Sequence, residues 1–186
     1  DYTSGCDSYF SQVGSSVEVL DDMDGDGLPD LAIAGTIAER SEAGGVWIVL
    51  SADLAGMQSG DTLEDVAHLY LTGTDPDSRL GTAMASGDLD GDGLSDLIVS
   101  SITVSYPDTG EVFVVFGSDL PINAAQMQIQ SIAGLQFSGV NPGDSLGTDI
   151  VTVGDLDGDG DDEFMVTAPG LNSGQGAAYI VPGFYE

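Results

Sequence analysis

The chain has 186 residues, 41% of them hydrophobic, with 27 glycines and 7 prolines; this suits one turn-rich β domain with an adequate core and argues against disorder. The formal charge is −30, from 32 acidic residues against Arg40 and Arg79 and no lysine, so nucleic acid and anionic lipid are repelled as direct partners. Such a field also keeps a protein dispersed at high salt, which fits a saline extracellular setting.

The predicted elements begin at Val13-Gly14, an apolar-Gly step leading into the strand SSVEVLD. The acidic loop DMDGDGLPD follows at 22–30, then the apolar strand LAIAG and a third strand, GGVWIVLS, with Trp47 at its centre. After a connection over 52–65, HLYLTG (68–73) reads as a fourth strand. The same order then returns: Leu80-Gly81, TAMASGD, DLDGDGLSD at 88–96, LIVSS, GEVFVVFG with Phe113, and GLQFSG at 134–139. A third unit carries Leu146-Gly147, TDIVTVGD, DLDGDGDDE at 155–163, FMVTAPG and GAAYIVPG with Tyr179. The central aromatics are expected to pack in the core. Residues 121–128 (PINAAQMQ) predict a helical turn.

Successive loops start 66 and 67 residues apart, so the repeating module is larger than a helix pair. Acids occupy positions one, three, five and nine: Asp22, Asp24, Asp26, Asp30; Asp88, Asp90, Asp92, Asp96; Asp155, Asp157, Asp159, Glu163. Each like-charge pair at ~4 Å and an effective dielectric near 20 costs about 4 kcal/mol, so a compact ring of carboxylates calls for a cation. Hard oxygen ligands on a flexible loop favour calcium, which takes about six to eight oxygens, over magnesium with its tight octahedron. Gly27, Gly93 and Gly160 at position six permit the turn. The backbone carbonyls of Leu28, Leu94 and Asp161, at position seven, are the expected further ligands. Solvated Asp-Gly turns alone would explain one such loop, but not three in phase.

A helix-flanked calcium loop of the EF-hand type needs an acid at position twelve. That place is taken here by Ile33, Val99 and Val166, each inside an apolar strand run. The loops therefore join strand to strand. Four short antiparallel strands per unit make one blade of a β-propeller, which buries each sheet against the next. The repeats are assigned to 12–73, 79–139 and 145–186, as a single propeller or half-propeller domain over 1–186. Propellers usually have about four to eight blades, so three leave sheet faces uncovered. Two closures are open: two copies forming a six-bladed homodimer, with residues 1–5 supplying the missing fourth strand, or further blades of a longer chain. Cys6 is alone and is either a buried, inert thiol or a link to a second chain. His68, the only histidine, reads as a half-exposed strand residue. No signal peptide or membrane span is present, so the segment reads as mature or excised.

These loops and their flanking strands resemble the FG-GAP repeat family, the calcium-binding propeller blades of integrin α subunits and many bacterial surface proteins. The family's Phe-Gly is Val-Gly, Leu-Gly and Leu-Gly here, Ala168-Pro169 alone approaches its Gly-Ala-Pro, and Glu163 replaces the usual Asp. The resemblance implies calcium loops on one face and ligand contacts on the other, over 35–45, 101–110, 169–176 and the interblade loops that hold Arg79. Arg40 and Arg79 would there form an anion-recognition spot, since arginine binds carboxylate bidentately.

The function expected is a non-catalytic, secreted or cell-surface binding and adhesion module with three structural Ca2+ ions and a protein or polysaccharide ligand. Three ions would reduce the charge to about −24. One histidine, one cysteine, no lysine and no G-x-S-x-G elbow leave little for nucleophilic or acid-base catalysis. The alternatives are an accessory propeller of an extracellular polysaccharide-active enzyme and a structural surface-layer component.

Overall fold

The computed structural model describes residues 12–35, 43–73, 75–103, 108–121 and 126–184. The fold is all-β, built as three propeller blades. The first contains β1 (Val13–Leu20), β2 (Asp30–Gly35), β3 (Gly45–Val49) and β4 (Leu69–Thr72), each antiparallel to the last. The second contains β5 (Leu80–Gly87), β6 (Asp96–Ser101) and β7 (Glu111–Val115); after β8 (Gln126–Gln128), β9 (Leu135–Ser138) completes it. The third contains β10 (Ile150–Gly154), β11 (Glu163–Ala168) and β12 (Ala177–Val181). Residues 1–5, expected to complete a blade, and Cys6 lie outside the described residues.

The helical turn expected over 121–128 is not formed at its C-terminal end. Gln126–Gln128 are strand β8, which pairs in parallel with β4 of the first blade. An exposed sheet edge offers unpaired N–H and C=O groups; a strap from the second blade satisfies them, and a 3-10 turn follows only at Ile129–Ser131. The propensity of an Ala- and Gln-rich run gave way to that pairing.

Two apolar seams hold the blades together. Between the first and second, Ala32, Val46, Ile48 and Leu71 pack against Leu97, Val99, Phe113 and Val115. Between the second and third, Ile98, Val112 and Val114 meet Ile150, Phe164 and Val166. The apolar-Gly steps explain how the blades come this close. Gly81 and Gly147 have φ of +92° and +91°, a conformation that favours glycine. A Cβ on Gly81 would lie 2.5 Å from Ala34 Cβ, and one on Gly147 would lie 2.7 Å from Ser100 Cβ. The first strands bulge here: the register of β1 shifts between Val13 and Ser16, and that of β5 between Leu80 and Met84.

The central aromatics do not share one environment. Phe113 is fully buried in the first seam, and Trp47 is buried with its ring stacked on Tyr70 at 4.5 Å. Tyr179, expected to be packed like them, is 43% exposed. Among the described residues β12 is the edge of its sheet, with no fourth strand beside it to cover that side chain.

Candidate metal centre

Each acidic loop joins the first strand of a blade to the second, so all three lie at the same end of the sheets. Backbone N–H groups organise their carboxylates. Asp22 accepts from Gly25 at 2.7 Å and Gly27 at 2.8 Å, Asp155 accepts from Gly158 at 2.6 Å and Gly160 at 3.2 Å, and Asp88 accepts from Gly93 at 3.0 Å. The position-three acids accept from the position-five N–H, as in Asp26 to Asp24 at 3.1 Å. The position-five acids accept in turn from position seven: Leu28 to Asp26 and Leu94 to Asp92 at 2.8 Å, and Asp161 to Asp159 at 3.1 Å. These chained turns need positive φ at positions four and six, which Gly25, Gly27, Gly91, Gly93, Gly158 and Gly160 all adopt. Position four was not singled out in the sequence, although the DGDG spacing carries it.

Three groups converge: Asp22, Asp24 and Asp30; Asp88, Asp90 and Asp96; Asp155, Asp157 and Glu163. In each, one carboxylate oxygen per residue lies within 4.8 Å of the others. Such spacing suits one hard cation with oxygen ligands. Asp26, Asp92 and Asp159 sit in the same loops but outside these convergent groups; Asp26 also accepts from the Ser51 hydroxyl at 3.1 Å.

Position nine has a second task that its sequence pattern does not reveal. Asp30, Asp96 and Glu163 are buried, and both oxygens of each accept from backbone N–H groups. Asp30 accepts from Met23 at 2.9 Å and Ser51 at 2.8 Å; Asp96 accepts from Leu89 at 2.7 Å and Gly117 at 2.9 Å. Glu163 accepts from Leu156 at 2.6 Å and Gly183 at 3.5 Å. This acid therefore staples the start of its loop to the end of the third strand. Burial pushes the Asp96 carboxyl up to about 7 despite the two N–H donors, and Asp90 and Asp92 add to the rise. Asp30 and Asp88 are raised too, burial first, then the N–H donors that oppose it and the neighbouring acids that add to it. Asp157 is raised by desolvation and then by Asp159. Acids held this way favour a proton until a cation replaces it.

The loops also touch across the seams. Ser95 N–H donates to the Asp22 carbonyl and Asp162 N–H donates to the Asp88 carbonyl, both at 2.7 Å. Position eight of one loop thus braces position one of the loop before it.

At the other end of the sheets, the β2–β3 and interblade connections pack on each other: Leu80 N–H donates to Ala43 at 2.9 Å, and Leu146 N–H to Thr109 at 3.0 Å. Arg79 lies there, half-buried, with φ of +48°. Arg40 lies outside the described residues, so the pairing of the two arginines has no structural description. His68 precedes β4 and is anchored: its Nε2 donates to the Pro121 carbonyl at 3.0 Å, and its Nδ1 is 3.8 Å from Asp53 Oδ2. It is 20% exposed, more covered than a half-exposed strand residue, because the second blade's connection packs over it. No helix among the described residues is long and apolar enough to cross a membrane.

A family model described as FG-GAP repeat matches residues 80–115 and 147–181, the strands and loops of the second and third units. The chain is 32% identical over 115 residues to phosphatidylinositol-glycan-specific phospholipase D of Rattus norvegicus, covering 58% of this chain and 14% of that protein. It is 32% identical over 108 residues to integrin alpha-4 of Xenopus laevis (57% of this chain, 10% of that one) and 30% identical over 118 residues to integrin alpha-M of Mus musculus (62% and 10%). The matched segment thus spans no more than about a seventh of these relatives. Blades, loop placement and these similarities agree: the second and third units match FG-GAP repeats, and over little more than half its length the chain is similar to integrin α chains that carry them.

Proposed function

We propose that this chain is a calcium-binding, non-catalytic binding and adhesion module of an extracellular or cell-surface protein. The observation that carries the reading is the recurrence, at one place in every blade, of three convergent carboxylates on a glycine-shaped loop. Calcium would be held by positions one, three and nine, with position five and the carbonyls of Leu28, Leu94 and Asp161 completing the shell. Its role is structural: a cation that binds the folded loop and not the unfolded chain stabilises by mass action. Cytosolic calcium is scarce, and similarity to integrin α chains supports a setting outside the cell. Thermal unfolding with and without excess EDTA tests the reading: chelation lowers Tm markedly, and an unchanged Tm counts decisively against it.

The partner surface is the end of the sheets opposite the acidic loops, where Arg79 lies and Arg40 is expected, and it takes a protein or polysaccharide carrying carboxylates. Replacing both arginines with glutamine weakens capture of such a partner; unchanged affinity rejects their role. The first and third blades each have an open apolar face of the kind that the internal seams cover, so a second copy is the proposed closure. A monodisperse monomer in solution sinks that closure.

Similarity to a protein named as a phospholipase D favours a second reading, an accessory propeller beside a catalytic domain. Assaying polysaccharides and lipids separately for turnover and for binding distinguishes the two. Binding without turnover supports the module, and turnover by this chain alone removes the non-catalytic reading.

A further inference from the structure

In the first two blades the fourth strand ends on a glycine held against the start of the third strand. Gly73 and Gly139 donate their N–H groups to the Gly44 and Gly110 carbonyls at 3.3 and 2.9 Å. A Cβ on Gly73 or Gly139 would collide with the Ala43 or Thr109 carbonyl, so no larger residue fits. Gly44 and Gly110 have φ of +71° and +75°, and a Cβ there would collide with Leu80 or Leu146, the apolar-Gly step of the next blade. The third blade has the same receptor. Gly176, just before β12, has φ of +74°, yet among the described residues a Cβ on it would meet only Pro169 of its own blade, at 3.3 Å.

The sequence holds a match for what that receptor takes. Residues 1–5 read DYTSG, against LYLTG at 69–73 and LQFSG at 135–139. Gly5 precedes Gly14 by nine residues, whereas Gly73 precedes Gly81 and Gly139 precedes Gly147 by eight. Tyr2, Ser4 and Gly5 carry the match; Asp1 and Thr3 stand where the other blades have apolar residues. Each fourth strand leads into the first strand of the next blade, so residues 1–5 belong to whatever blade lies before the first. Among the described residues, the third blade is the one without a fourth strand. The blade faces agree with this order: Val17 is exposed on the entry side of the first blade, and Val151 and Ile180 are exposed on the exit side of the third.

We propose that a second copy docks head to tail on the third blade and adds its residues 2–4 to β12 as an antiparallel fourth strand. In the first two blades Trp47 pairs with Tyr70 and Phe113 with Gln136. The same register puts the partner's Tyr2 opposite Tyr179, repeating the stack that Trp47 and Tyr70 make at 4.5 Å. The partner's Gly5 N–H donates to the Gly176 carbonyl, and its Val13-Gly14 step fills the place that Leu80-Gly81 takes in the first seam. Strand addition satisfies the N–H and C=O groups of the β12 edge, and the exposed faces are buried along with it. Two such contacts close a ring of two chains. Position eight of the first loop is Pro29, which has no N–H, so this seam lacks the brace that Ser95 and Asp162 give the internal ones and parts before them. In the dissociated chain Tyr179 stands on an open edge.

This inference rests on closure by a second copy, and cross-linking separates the two. Two single-cysteine chains, Tyr2→Cys and Tyr179→Cys, each also carrying Cys6→Ser, are mixed at a concentration where the unaltered chain is dimeric and treated with a short bismaleimide. A 2–179 link in that mixture can join only different copies, and mass spectrometry is expected to find it as the main covalent dimer. Removing residues 1–5 is expected to raise the dimer dissociation constant at least about tenfold. A dimeric chain that gives no 2–179 link, or whose dissociation constant is unchanged without residues 1–5, overturns the inference and leaves the closure standing. A chain that is monomeric at every concentration removes both.

Discussion

The second and third blades carry the same alternation of apolar residues but differ sharply in what it buries. In the second, Ala85, Ile98 and Val114 form a face covered by the third blade and are no more than 5% exposed. Their register equivalents in the third, Val151, Met165 and Ile180, face outward, with Val151 53% and Ile180 58% exposed. The first blade repeats the lesson from the other side. Val17 is 56% exposed, whereas its equivalents Met84 and Ile150 are at most 7% exposed because each has a preceding blade to lie against. The strand pattern decides which residues point at a neighbour, and the neighbour decides whether they are buried. Stability in such an array lies in the seams as much as in the blades.

Three perturbations sharpen this contrast. The largest effect is expected at the central aromatics. Phe113→Ala in a closed seam costs about 3–5 kcal/mol, whereas Tyr179→Ala on the open edge costs less than about 1 kcal/mol. Denaturant unfolding measures both, and equal costs would refute the role given to neighbouring blades. Next come the bulge glycines. Gly14 and Gly81 share a positive φ, so alanine strains both, but only at Gly81 does its Cβ meet another blade. Gly81→Ala is expected to cost about 1–3 kcal/mol more than Gly14→Ala, the usual penalty of overpacking. The third effect concerns pH. In metal-free protein the buried Asp96 carboxyl titrates near 7, above its unfolded value of 3.8. Between those values the folded chain holds a proton that the unfolded chain has released, so stability falls as pH rises from about 4 through about 7 and then levels. Asp96→Asn should flatten that slope, and calcium should remove it by displacing the proton. An Asp96→Asn slope equal to that of the unaltered chain would contradict the assignment.

Much of this was readable from residues alone. The repeat period located the strands, and the failure of Ile33, Val99 and Val166 to act as position-twelve ligands placed each acidic loop between strands. The fourth strands also appear where HLYLTG and GLQFSG put them, at Leu69–Thr72 and Leu135–Ser138. What escaped the sequence depends on three-dimensional neighbours. That Gln126–Gln128 pair with another blade's edge follows from where β4 is left uncovered. The stapling by Asp30, Asp96 and Glu163 needs N–H groups about 20 residues away. Asp161 is one more acid in an acidic run until Gly91 and Gly183 close around it. Tyr179 has the same phase as Phe113 and differs in having no strand at its side among the described residues.

The claim on which the account turns is that the acidic loops are cation cages, and an anomalous difference map from crystals grown in millimolar calcium tests it most directly. The account predicts a calcium peak inside each of the groups Asp22, Asp24 and Asp30; Asp88, Asp90 and Asp96; and Asp155, Asp157 and Glu163. Ordered water or featureless density in all three, at that calcium concentration, would contradict it.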